Sequence, residues 1–379
     1  MRVLHLIDTP GPGGAETVLL HIAAGLSARS WDCLVMVPEE GWLSEVARDT
    51  GVPVIFNPGH GSADAKYLLG IHNAVRDFSP HLVHAHLLTS SVYASVAAGA
   101  LNGLPVVCTF HGRPDVPLDD PYLQVKTRLL NRHTNALVCV SWGLRDFMDD
   151  EVGKPFDRAR VIENGISPPS THSGRKPLRM GVTGGDDWVV GALGNVRHAK
   201  DYRTLVRAAE VVLARRDDVR FQIAGDLTGE PDLTNDLRRE IFDRGLGARM
   251  ELLGFVEEVS EYLQGLDVFT SSSLTEGLPL STVQALVEAR PAVLTDCSGS
   301  SEVVEHGETG LLVPVGDPTA LAEGILRLIE DRPLSKRLSL RGRQDVGQRF
   351  GLERMVLQYE ALYRRMIALQ ETSAGRLGD

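Results

Sequence analysis

The residues whose types and spacing suit chemistry lie in loops that join an apolar run to a helix start. The fullest example is SSSLTEGLPLSTVQALVEARPAV, Ser271 to Val293. A helix is expected over Leu280 to Ala289, and Pro279 suits its first turn, where a missing N–H is no loss. The free amides of that helix start, with those of Gly277 and Leu278, make a cradle for an anion. Glu276 stands beside them with acceptors for hydroxyl groups. Leu280, Val283, Leu286 and Val287 form one apolar stripe, and Gln284 at its edge is expected to be half buried yet able to reach a ligand. Glu288, one turn on, points away from the helix start and reads as a surface residue.

A second loop, GALGNVRHAKDYRTL, brings Asn195, Arg197 and Lys200 to a strand-to-helix turn that opens a helix near Asp201, where an anion meets amide N–H groups and the helix dipole. TDCSGSSEVV repeats the arrangement after Asp296, with a helix expected near Ser301.

In the first half, DTPGPGGAET carries Gly13, Gly14 and Glu16 into a helix. It is neither a dinucleotide fingerprint, since Glu16 stands where the last glycine belongs, nor a phosphate P-loop, since no Gly-Lys-Ser/Thr follows. TFHGRPD puts His111 at a strand end, with Arg113 just after it. VHAH puts His84 and His86 on one face of a strand. No third ligand is evident for a metal, so packing or lining a cleft is the expected role. The acceptor-side candidates are Glu16, His86 and Arg113.

Taken together, these loops describe a diphosphate held by basic and amide donors, with carboxylates for hydroxyl-rich groups on either side. That is a nucleotide sugar. No Asp-x-Asp occurs in the chain, so no metal site is expected, and lysine with helix ends must neutralise the pyrophosphate.

The elements that must position these loops are short β-branched runs alternating with amphipathic segments. Strands are expected at RVLHLI, DCLVMVP, PVIF, HLVHAH, PVVCTF and ALVCVS, with helices over Glu16–Ala28, Ala63–Phe78, Ser90–Leu101 and Tyr122–His133. After the Pro/Ser/Gly-rich stretch ISPPSTHSGRKP the pattern restarts with DWVVGALGN, VRFQIAG, MELLGF, LDVFTSSS and PAVLTD. The expected class is α/β, with two doubly wound domains facing a cleft and ligands at the carboxyl ends of strands. The boundaries are 1–166, a linker over 167–187, 188–350, and a last helix within 351–379.

A chain of 379 residues has room for two such cores. With 43% apolar and 23% charged residues it reads as globular, and a net charge of −11 argues against a nucleic-acid partner. The cysteines Cys33, Cys108, Cys139 and Cys297 form no C-x-x-C pair and suit buried thiols in a reducing cytoplasm. MRVLHLID reads as a strand rather than a leader, so a cytoplasmic protein is expected, with contact at the inner face of the membrane as an option.

With these loops in place the sequence resembles the retaining glycosyltransferases of family 4, which have the two-domain GT-B fold. The likeness covers nearly the whole chain and is most specific in SSSLTEGLP…PAVLTDCSGSSEVVEHGETGLLVPVGD, supported by GGAE, TFHG, VIENGI and GNVRHAK. The resemblance implies that Gly13 and Gly14 belong to a mobile loop near the diphosphate and acceptor. It gives His111 a contact with the donor sugar, Lys200 the phosphates, Glu276 the sugar hydroxyls, and the amides of Gly277 and Leu278 the sugar or phosphate. Position 284 holds the ribose, and the last helix braces the first domain. No cofactor is implied beyond the donor, which is a co-substrate.

Three departures stand out. Asn195 replaces a frequent arginine, with Arg197 as a possible substitute; Gln284 replaces a usual glutamate; Ala289 replaces a frequent glycine. Exchanging a charge-assisted bond to ribose for an amide costs on the order of 1 kcal/mol, about fivefold in donor affinity.

The implied reaction is metal-independent transfer from a nucleoside-diphosphate sugar, UDP by family frequency, to a hydroxyl of a glycan, lipid-linked or small-molecule acceptor, with retained configuration. The rivals are a nucleotide-sugar epimerase on the same fold and a nucleotide-sugar-binding module or inactive partner. LQVKTRLLNRH collects Lys126, Arg128 and Arg132 on one helix, a patch suited to anionic lipid, the plainer alternative being a solvated face.

Overall fold

Near-continuous runs of valine, leucine and isoleucine bury strands on both faces, which is how parallel sheets read in sequence. The computed structural model describes residues 1–59, 64–154, 156–167 and 187–375. The expected linker over 167–187 lies almost wholly outside them. The chain divides into two units, Met1–Gly165 with Leu352–Asp379, and Ile166–Gly351.

The first unit holds seven strands: β1 (Arg2–Leu6), β2 (Asp32–Val37), β3 (Val54–Phe56), β4 (Leu82–His86), β5 (Val106–Phe110), β6 (Ala136–Cys139) and β7 (Arg160–Val161). Their order is β3-β2-β1-β4-β5-β6-β7, all parallel. The order reverses between β1 and β4, so the loops after these two strands flank the switch point where such sheets take ligands. The register sets His5 beside His84 and His86 beside Thr109.

The helix Leu352–Gly375 belongs to this unit and buries Met355, Val356, Tyr359, Leu362, Tyr363 and Met366, a stripe at helical spacing. It packs on the helix Gly14–Ser27, where Gly25 leaves room for Val356. The helix expected over Ser90–Leu101 is instead Leu88–Ala94 followed by a wider π turn, Ser95–Ala100. Ser91 and Ser95 donate back to the carbonyls of Leu87 and Val92, bonds that compete with the regular ladder.

The second unit holds β8 (Trp188–Leu193), β9 (Val219–Ala224), β10 (Met250–Gly254), β11 (Val268–Ser271), β12 (Ala292–Thr295) and β13 (Leu311–Val313), in the order β10-β9-β8-β11-β12-β13. The same reversal falls between β8 and β11. Val190, Phe221, Val268 and Val293 pack with Leu205, Val206 and Ile325 from covering helices. No helix among the described residues is long and apolar enough to cross a membrane.

Candidate active site

In the second unit, Lys200 and Glu276 come from the loops after β8 and β11, the two strands at the switch point. A 3-10 turn, His198–Lys200, ends at Asp201 in the left-handed region (φ 42°), and the helix Tyr202–Leu213 follows. Lys200 therefore stands just before a helix start, and its Nζ lies 2.6 Å from Glu276 Oε1. Ser273 Oγ donates to the same oxygen at 2.6 Å. Two further bonds lock the loops together: Leu274 N to Ala199 O at 2.8 Å, and Ser272 Oγ to Lys200 O at 2.9 Å. The side chains keep 22% and 12% exposure, enough for a ligand to reach them.

The next helix runs Ser298–Val303, three residues earlier than its expected start near Ser301. Its first turn packs directly on the Glu276–Gly277 backbone, with Gly299 at the closest approach and Ser298 Oγ donating to Glu276 O at 3.3 Å. Gly277 and Leu278 lead through Pro279 into the helix Leu280–Val287, on which Gln284 is half-buried.

Glu288 is not on the surface as its helix position implied. It is 8% exposed and accepts from Ser260 Oγ at 2.6 Å and Gln264 Nε2 at 3.1 Å, because the helix Val259–Gln264 covers that end. Ala289, at the position where glycine is frequent, has φ 55°. It closes a Schellman cap, with Ala289 N bonded to Leu286 O and Arg290 N to Ala285 O, both at 2.9 Å. Ala289→Gly is expected to raise stability by about 0.5–1 kcal/mol, since the left-handed region penalises a Cβ. Thermal unfolding of the two proteins side by side checks this.

Arg197 goes elsewhere. With His198, Arg203, Glu230 and Asp236 it lines a cavity of about 500 Å³ that Lys200, Glu276 and Gly277 do not line. Asn195 faces inward, its Oδ1 accepting from Asp226 N at 3.0 Å.

In the first unit, Gly13 caps and Gly14 opens the helix after β1, with an extended Gly13 backbone. Glu16 is 7% exposed and accepts from Thr9 Oγ1 at 2.5 Å. Arg113 lies over the Phe147 ring at 4.5 Å. His111 is half-buried just past β5. His86, expected on the acceptor side, is wholly buried at 0% exposure and meets His111 instead, Nδ1 to Nε2 at 3.0 Å. The strand periodicity turns it inward, onto the face where its neighbour His84 meets Tyr363 of the helix Leu352–Gly375.

His5 supplies the third imidazole that sequence spacing did not show. His5, His84 and His86 are the one group among the described residues placed to hold a metal. Both nitrogens of His84 are already engaged, Nε2 with Thr109 Oγ1 at 2.8 Å and Nδ1 with Tyr363 Oη at 2.5 Å. Burial pushes His84 and His86 well below the ordinary imidazole range.

Sequence reasoning passed over Asp115, though it stands in the TFHGRPD stretch. Its carboxylate accepts the backbone N–H groups of His111 and, at 2.9 Å, of Gly112, reaching back from the third position of the short helix Arg113–Asp115 to its N-cap as in a capping box. Burial pushes this carboxyl up to about 7, the two N–H donors pull against that, and the nearby Asp8 and Glu16 carboxylates add to the rise. In the unfolded chain the same group ionises near 4. Its contribution to stability is therefore full below pH 4 and is lost as pH rises through 7. Asp115→Asn, which keeps an acceptor for both N–H groups, should melt higher than the wild type at pH 8 and alike near pH 4, as read by scanning calorimetry.

Lys126 was expected to join a basic patch with Arg128 and Arg132. It is instead paired with Asp120 at 2.6 Å, both side chains largely buried. Arg128 and Arg132 are exposed and, with Val125 at 53% exposure, share one face of the helix Leu123–His133.

A family model described as Glycosyltransferase Family 4 matches residues 12–168, and one described as Glycosyl transferases group 1 matches residues 187–331. The chain is 24% identical over 386 aligned positions, 97% of each chain, to the Escherichia coli UDP-Gal:alpha-D-GlcNAc-diphosphoundecaprenol alpha-1,3-galactosyltransferase. It is 25% identical to the N-acetyl-alpha-D-glucosaminyl L-malate synthase of Bacillus anthracis, over 78% of this chain and 74% of that one. The crystal structure of Anabaena Alr3699/HepE in complex with UDP-glucose shares the fold, with a TM-score of 0.84 and 24% identity over 98% of this chain and 100% of the other.

Proposed function

Because the chain belongs to the family 4 glycosyltransferases, we propose that it moves a sugar from a UDP-sugar to a hydroxyl of a glycan or lipid-linked acceptor, with retained configuration and no metal ion. The observation that carries this reading is the contact of Lys200 with Glu276 across the switch point of the second sheet. An ammonium has three donors, and Glu276 uses one of them. The others serve the diphosphate, whose negative charge grows as the sugar bond breaks; N–H groups at the helix starts add to that stabilisation. Both bonds to Glu276 fall on Oε1, which supports a role for Oε2 as the acceptor for the sugar hydroxyls. A leaving phosphate oxygen takes the acceptor proton on the face the sugar bond left, so the new bond forms with the old configuration.

Relatives support the donor: one is named for UDP-galactose and an undecaprenol-linked acceptor, and a structural neighbour was solved with UDP-glucose. Calorimetric titration with UDP, GDP and ADP in EDTA tests donor and metal together. UDP is expected to bind, and to bind equally with EDTA. A requirement for a divalent cation overturns the metal-free reading. NMR of the product should show the donor's anomeric configuration; an inverted anomer overturns retention, and conversion of the donor without any acceptor identifies an epimerase.

A lipid-linked acceptor also calls for a membrane surface, and Arg128, Arg132 and Val125 suit one. Sedimentation with phosphatidylglycerol vesicles is expected for the wild type and lost in the double variant Arg128→Ala/Arg132→Ala. Phosphatidylcholine vesicles should bring down neither protein.

A further inference from the structure

Three serines in a row, Ser271 to Ser273, lead from β11 toward Glu276, all within the second unit. Ser271 ends the strand, and its Oγ lies 3.0 Å from that of Ser273, two residues on, as side chains on one face of an extended chain do. Ser272, between them, turns to the neighbouring loop and donates to Lys200 O at 2.9 Å. Ser273 is 0% exposed, and Thr295 Oγ1, at the end of β12, donates to its carbonyl at 2.6 Å. Its own Oγ lies 2.6 Å from Glu276 Oε1.

A carboxylate can only accept, so the hydrogen between Ser273 and Glu276 is the serine's. A hydroxyl has one hydrogen, so Ser273 has none left for Ser271, and Ser271 donates to Ser273 in turn. The chain therefore runs one way, from Ser271 to Ser273 to Glu276, and each bond polarises the next. Lys200 Nζ sits on the same Oε1, so two donors hold one oxygen and settle where the other points. Among the described residues Oε2 takes no hydrogen bond, and the side chain keeps 12% exposure.

We infer that Ser273, backed by Ser271, is a positioning residue: its hydroxyl holds Oε1 of Glu276 and so presents Oε2 to the hydroxyls of the donor sugar. This rests on the reading above in which Glu276 meets the donor sugar. Lys200 alone is a poor brace, since its ammonium rides on a flexible four-carbon stem and also serves the diphosphate. A short side chain in a buried loop stays put while the lysine answers the growing charge.

Calorimetric titration of the full chain with UDP, UDP-glucose, UDP-galactose and UDP-N-acetylglucosamine gives the ratio of Kd for the tightest UDP-sugar to Kd for UDP. Ser273→Ala should raise this ratio about 5–20-fold, the size of a loosened hydrogen bond to a charged group. Kd for UDP itself should change less than about threefold, because Ser272 and Leu274 still hold the Lys200 loop. Ser273→Cys fills the space with a weak donor and should behave as Ser273→Ala does. Ser271→Ala, at the half-buried outer end of the chain, should raise the ratio about 2–3-fold and carries the test if Ser273→Ala folds poorly. In a Glu276→Ala background, adding Ser273→Ala should change the ratio less than about twofold, because Ser273 acts through Glu276. A serine that merely supports the fold would weaken UDP and UDP-sugar alike. An unchanged ratio, recovery in Ser273→Cys, or fully additive losses overturns the role of Ser273. An unchanged ratio in Glu276→Ala overturns the assignment of Glu276 itself, whatever Ser273 does.

Discussion

Lys200→Ala is expected to lower kcat/KM about 10²–10³-fold, whereas Gln284→Ala should cost no more than about tenfold. The first figure is that for removing one preorganised donor from the place where charge develops in a transition state. The second follows from losing one hydrogen bond between neutral partners, about 1 kcal/mol. The structure separates the two residues in kind. Lys200 is held by the carboxylate of Glu276 at 2.6 Å and by the Ala199–Leu274 bond, so it is aimed before any ligand arrives. Gln284 is half-buried on a helix, and the bond proposed for its amide is weaker than one from a carboxylate. Steady-state kinetics over a range of donor concentrations distinguish them: Lys200→Ala should fall mostly in kcat, Gln284→Ala mostly in KM. Equal losses, or losses confined to KM in both, would remove Lys200 from the role of charge stabiliser.

The second large effect is expected at a residue that carries no chemistry. Gly299→Ala should lower kcat/KM about 10–100-fold and stability by about 1–3 kcal/mol. A Cβ there would lie 2.5 Å from Gly277 O, 2.8 Å from Glu276 Cβ and 2.9 Å from Glu276 O. Most of these atoms are backbone and cannot swing aside as a long side chain would. The loop carrying Glu276 must then shift away from Lys200. Gly347→Ala serves as the control, since no atom lies within 4 Å of a Cβ at that helical position. It should leave activity intact and stabilise the protein by about 0.5–1 kcal/mol. Full activity in Gly299→Ala would show that the packing of Ser298–Val303 does not set the position of Glu276.

Much of the site was legible because its signals are local. A run such as VVCTF followed by HGRPD marks a strand and the loop beyond it, and parallel sheets collect such loops at one edge. The burial of Gln284 could be read from the helical period alone. Glu288 could not, although the same period applies to it. Whether the far side of a helix meets water depends on what covers it, and here Val259–Gln264, more than twenty residues back, brings Ser260 and Gln264 to the carboxylate. His86 shows the same limit. Alternation gave its face correctly and left open that the whole side chain would be buried, so that it meets His111 rather than solvent.

Alone, the sequence determined the strand–helix alternation, the restart of that pattern in a second unit, and the small set of strand-end loops in which Lys200, Glu276 and His111 lie, because hydrophobic period and turn chemistry act over a few residues. The tertiary structure alone decided which of those loops meet. Strand order places β8 beside β11 and so joins Lys200 to Glu276 across 76 positions, and it places β4 beside β5 and so joins His86 to His111 across 25. No local period encodes which strands become neighbours. That choice minimises the exposed apolar surface of the whole sheet, and the hydrogen bonds of the site follow from it.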